Sequence, residues 1–142
     1  MSASSYALAI HTSSPDLGLA ISHFSGDARS QVWNLGRDLS THLHIHLAAF
    51  LQPQSWSDLA FLAVAKGPGG FTGTRMGVVT ARTLAQQLEI PLFAVSTLEA
   101  IAWSTLQASN SPATIAVQMQ AQRGEWFVGM YQRSLDGAGL IS

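Results

Sequence analysis

Residues 65–88 read AKGPGGFTGTRMGVVTARTLAQQL. An apolar run, LAFLAVA at 59–65, comes before the glycines, and a helical run follows them. The pattern predicts a strand, a tight loop and a helix over residues 72–88. Within that helix Gly73, Gly77, Ala81 and Ala85 recur every fourth position. Steps of four residues advance about 400°, so the four form one gently slanting row without a side chain beyond methyl. A helix-interior glycine costs about 1 kcal/mol against alanine, so two of them imply that another surface comes close. That surface is either the protein's own sheet or a partner helix, and the sequence leaves both open.

The loop itself, Gly67, Pro68, Gly69, Gly70, Phe71 and Thr72, is not a nucleotide motif. A Walker loop needs four residues between its glycines and then Lys-Ser/Thr, whereas here Gly73 is followed by Thr74-Arg75. The dinucleotide pattern fails at Thr72, where its third glycine belongs. What remains is a set of backbone N–H groups at a helix N-terminus, a general anion-binding position.

Elsewhere the punctuation is plain. Apolar or alternating runs at 6–12, 17–24 and 28–35, separated by turn residues, predict an antiparallel meander. Leu39, Leu43, Leu47 and Phe50 or Leu51 mark one face of a helix over 38–51, with Asp38 or Ser40 as its cap. The run at 59–65 reads as a strand covered on both faces. A second buried strand is expected at 91–96, a third helix at 97–108, and strands at 114–119 and 126–132. Thr97-Leu98-Glu99 reads as a helix start with a capping box. Residues 1–5 are expected to be a loose tail and 135–142 show no pattern. Hairpins followed by alternating strands and helices give an α/β domain, a mixed sheet with helices packed on it.

In 142 residues the chain carries 47% hydrophobic but only 11% charged residues, against about 25% charged in a typical soluble domain. Apolar surface therefore outruns the charge available to cover it, which suits either a docking face or an exterior of Gln, Ser, Thr and His. The net charge of −1, with seven scattered basic residues, argues against unaided nucleic-acid binding. No cysteine is present, so disulfides and thiol chemistry are excluded. The start MSASSYALAI lacks the features of a secretory signal, and a cytoplasmic protein is expected.

The helix at 38–51 has a second uncharged face, His42, Ile45, His46 and Ala49. His42 and His46, four apart, point the same way and could hold a metal, but Leu43 stands where a zincin carries its Glu. No metal site is expected, and an interface or solvated pair is the preferred reading. The eight carboxylates fall mostly in turns and at helix ends, with no acid–base pair among them.

The stretch KGPGGFTGTRMGVVTARTLA is similar to the GPGSFTGLRIGVATAKGLA signature of the TsaB (YeaZ) family. ALAIHTSSPDLGLAI resembles that family's LAIDTS start, IPLFAVSTLEAIA its iPl-gVSSLeAlA segment, and AQRGEWF its DARrGEvY segment. Order and spacing match from Tyr6 to Tyr131. The resemblance implies an actin/Hsp70/sugar-kinase (ribonuclease H-like) lobe, a five-stranded mixed sheet in βββαβαβα order plus further strands. It implies one lobe over 6–134, with 135–142 the beginning of a missing or truncated second lobe. It implies a non-catalytic subunit in the making of tRNA threonylcarbamoyladenosine, without cofactor, that pairs with a TsaD-like catalytic subunit and a TsaE-like ATPase. Self-pairing as a homodimer, contact with tRNA only through the complex, and no membrane association go with it. The helices at 38–51 and 72–88 match those the family uses for pairing. The expected interface is therefore His42, Ile45, His46 and Ala49 with Gly73, Met76, Gly77, Thr80, Ala81 and Leu84.

Two departures stand out. His11 replaces the Asp of LAIDTS, and Gln120 and Gln122 replace the Asp and Arg of DARrGE. A neutral imidazole cannot supply the charge that Mg²⁺ prefers. The alternative remains an enzyme, an actin-like ATPase or a metal-dependent peptidase using His42 and His46.

Overall fold

The computed structural model describes residues 5–108, 114–134 and 139–141. The expected tail at 1–5 lies outside them except for Ser5. Five strands form the main sheet: β1 (Tyr6–His11), β2 (Asp16–His23), β3 (Ala28–Asn34), β4 (Leu59–Ala65) and β5 (Leu92–Val95), in the order β3-β2-β1-β4-β5. The first three pair antiparallel, and β4 and β5 add parallel to β1. α1 (Leu39–Leu51) packs on β2, and α2 (Phe71–Leu88) packs on β4, β1 and β5.

The register explains why both helices choose one face. Leu8 stands opposite Ile21 and Leu62, and Ile10 opposite Leu19 and Val64. All six are buried and form the core with Leu43 and Leu47 of α1 and Ala81 and Ala85 of α2. The other face of the same strands is paved with small groups: Ala9 opposite Ala20 and Ala63, and His11 opposite Gly18. Large residues draw the helices and small ones leave a shallow trough of about 500 Å³ behind. Its rim includes Val32, Val95 and, from the third helix, Ala100.

That arrangement corrects two expectations. β4 is not covered on both faces: Leu62 and Val64 are buried, while Phe61 and Ala63 are only half-buried. β5 is an edge strand, and Phe93 keeps 54% of its surface exposed.

α3 (Thr97–Ala108) belongs to a second, smaller assembly. β6 (Ile115–Gln120), β7 (Trp126–Arg133) and β8 (Leu140–Ile141) form a separate antiparallel sheet. Leu98 and Ala102 of α3 pack there with Val117 and Tyr131. Arg133 donates to the carbonyl of Leu106, tying β7 to α3. The second assembly thus starts with α3, and Leu140 and Ile141, in the stretch without a sequence pattern, pair with β7.

Helix ends also differ. α1 begins at Leu39 after a 3₁₀ turn at Gly36–Asp38, and Asp38 makes no side-chain cap. Its C-terminus is closed from outside: the Arg29 guanidinium of β3 donates to the carbonyls of Phe50, Leu51 and Gln52. The Thr97 hydroxyl donates to Ser13 Oγ, 3.0 Å, and so fastens α3 to the end of β1. Among the described residues no helix is long and apolar enough to cross a membrane.

Candidate partner-binding face

Chain geometry decides first what the small-residue row is for. Gly77 and Ala81 are buried, and Gly73 is half-buried. A methyl built on Gly73 would lie 2.7 Å from the Thr12 carbonyl oxygen, and one on Gly77 would overlap Thr12 Oγ1. The row therefore lets α2 descend onto the end of its own β1. Thr12 Oγ1 spans the contact by donating to the Gly73 carbonyl, 2.6 Å. Of the expected interface positions, Gly77 and Ala81 are buried inside the lobe, and Gly73 is half-buried against Thr12.

The outward surface belongs to their neighbours. On α1, Ile45 is 62% exposed and Ala49 is exposed, while His42 and His46 are half-buried. The His46 ring packs on Trp33 of β3 at 4.7 Å, and the His42 ring lies 6.3 Å from it. His42 Nδ1 meets the Asp38 carbonyl at 3.1 Å. On α2, Val79 is 51% exposed, directly opposite the buried row, and Met76 is half-buried against the core. Between the helices runs a groove of about 340 Å³ lined by His44, Leu47, Trp56, Val79, Thr80, Thr83 and Leu84. Thr80 and Leu84 line this groove together with His44, Val79 and Thr83. The signal for Val79 was in the periodicity: at 100° per residue it lies about 200° from Gly77.

Among the described residues no three His, Asp or Glu side chains cluster as metal ligands would. His11 ends β1 on the trough side, and its Nδ1 accepts from the Ser13 N–H at 3.4 Å. Burial pushes its pKa down, which favours the neutral ring. A neutral imidazole at this strand end does not fit the charge of a magnesium nucleotide.

The glycine loop is stitched to its own lobe. Gly67 adopts φ +105°, a left-handed backbone that favours glycine, and its carbonyl accepts from the Thr97 N–H. The Gly70 N–H is taken by the Ser13 carbonyl. Phe71 and Thr72 already lie in the first turn of α2, where Phe71 is 77% exposed. Gly69, Gly70 and Phe71 form one wall of an open cleft of about 820 Å³. Ser13 and Ser14 add to that wall, and Gln120, Arg123 and Glu125 of the small sheet stand opposite. Gln120 faces this cleft.

Comparison with known proteins fits this architecture. A family model described as TsaD, tRNA N6-adenosine threonylcarbamoyltransferase, matches residues 43–137. The tRNA threonylcarbamoyladenosine biosynthesis protein TsaB of Bacillus subtilis is 35% identical over 88% of this chain and 54% of its own length. TsaB of Escherichia coli is 36% identical over 58% of this chain and 36% of its length. The chain thus spans about half or less of these curated relatives. Two solved structures from Pseudomonas aeruginosa superpose over 97% of this chain and 64% of theirs. One is described as similar to peptidase YeaZ (TM-score 0.87, 27% identity), the other as YeaZ (0.84, 26%). The lobe has the actin-type, ribonuclease H-like fold, and the chain belongs to the TsaB (YeaZ) family of tRNA threonylcarbamoyladenosine biosynthesis proteins.

Proposed function

We propose that this chain is a non-catalytic docking lobe in tRNA threonylcarbamoyladenosine synthesis, pairing through α1 and α2 with a TsaD-like catalytic subunit. A TsaE-like ATPase joins that assembly, tRNA is met only within it, and in isolation the same face pairs two copies. The observation that carries the reading is the outer surface of the two helices. Ile45 and Val79 stand exposed beside an interhelical groove. Exposed aliphatics beside a groove are what a helical partner anchors on. The non-catalytic part rests on His11, a half-buried neutral ring at the strand end.

Size-exclusion chromatography with light scattering, on this chain mixed with the TsaD-like protein of the same organism, tests the pairing. A single heteromeric peak is expected, and Ile45→Glu should split it into separate components. Separate elution of the unaltered proteins at micromolar concentration would count against the proposal. Calorimetry with ATP and Mg²⁺, or with Zn²⁺, is expected to show no heat of binding, and turnover in either would favour the enzymatic alternative.

A further inference from the structure

The charges on the two docking helices are one-sided. Neither α1 nor α2 contains an Asp or Glu. α2 carries Arg75 and Arg82, both exposed and seven residues apart, so they share one side of the helix. α1 contributes only histidines to the face. The nearest carboxylates stand at helix ends, Asp38 before α1 and Glu89 after α2. The other neighbouring acid, Asp58, is engaged by the Ser55 N–H at 2.9 Å and by the Ser55 hydroxyl at 3.2 Å. The Arg29 guanidinium is already committed to the carbonyls ending α1. The charge left free to meet a partner on the helices is therefore the arginine pair.

Resting on the docking reading above, we infer that this face selects a partner unlike itself: a helical surface with an apolar centre and a rim of Asp or Glu opposite Arg75 and Arg82. The apolar centre receives Ile45 and Val79 and fills the interhelical groove. The carboxylate rim sets orientation and speeds encounter, which is where charge complementarity acts most strongly. A second copy supplies no such rim along its helices, since its α1 and α2 lack carboxylates and only Asp38 and Glu89 stand at their ends. Self-pairing then sets histidine and arginine against the same residues, whereas the acidic partner pairs charge with opposite charge. The face is thus built so that the partner displaces the self-pair.

The test compares two dissociation constants, for self-association and for binding to the TsaD-like protein of the same organism. Both are measured for the unaltered chain and for Arg75→Glu/Arg82→Glu, at about 50 and about 500 mM salt, where screening lengths differ severalfold. Partner binding is expected to weaken with salt and to fall at least tenfold in the double variant. Self-association is expected to hold or tighten with salt and to survive the reversal. Both side chains are exposed, so circular dichroism should show the variant folded. Partner affinity unchanged within twofold, at either salt, overturns the charge assignment. If Ile45→Glu still disrupts the pairing in that case, the docking reading stands alone, and if it does not, both fall.

Discussion

Gly77 is a position where a small change has a large structural consequence. Its missing Cβ is the space into which Thr12 Oγ1 fits. Gly77→Val should destabilise the fold by about 1–3 kcal/mol through overpacking, read as a lowered urea midpoint. An unshifted midpoint would mean that α2 does not sit on β1 this closely. A neighbouring residue gives a pH signature. The fold disfavours the charged form of His11, so the unfolded chain binds the extra proton more readily. The resulting stability is fully present above the ordinary histidine value of about 6.5 and declines as pH falls below it. His11→Asn should flatten that decline between about pH 7 and pH 5, whereas superimposable midpoint-versus-pH curves for the two proteins would contradict the burial argument.

At the scale of elements, α1 shows how a helix without its own caps is held. Its N-terminus lacks a side-chain cap, and its last carbonyls are satisfied by Arg29, whose guanidinium also lies 5.1 Å from the Phe50 ring centre. Arg29→Met keeps the aliphatic stem but loses several charge-assisted hydrogen bonds, and a cost of about 1.5–3 kcal/mol in thermal or urea unfolding is expected. No measurable change would show that water replaces the cap. Nothing in sequence order announces a β3 arginine closing a helix more than twenty residues later, so this device was not legible. The leucine face of α1, the meander and the strand–loop–helix unit were legible, because each is a local period. The trough was legible only in part: LAFLAVA reads as continuously apolar, yet from Leu62 to Ala65 large and small residues alternate, and the large ones face the helices. The small-residue row announced a close approach without saying to what, since an internal and an external neighbour require the same spacing. The second sheet was missed as a unit because each of its strands reads locally as a strand, and nothing local says that the β6–β7 hairpin stands apart from the main sheet.

The whole molecule has two unequal centres. The main core joins leucines and isoleucines of three strands to α1 and α2, whereas the second rests on Leu98, Ala102, Val117 and Tyr131. β7 leaves Trp126, Val128 and Met130 largely exposed. Fewer buried contacts mean a lower local opening energy, so backbone amides of β6 and β7 should exchange with deuterium well ahead of those of β1 and β4. Uniform protection across both sheets would refute the division. The proposed docking face is mounted on the larger centre, so both helices share one support, as a precise interface requires. The central claim is that this face binds by its exposed aliphatics. Titration calorimetry of the TsaD-like subunit against the unaltered chain and against Ile45→Glu/Val79→Glu addresses it most directly. The account predicts that affinity falls at least about thirtyfold in a variant that remains folded. An affinity preserved within twofold would contradict it.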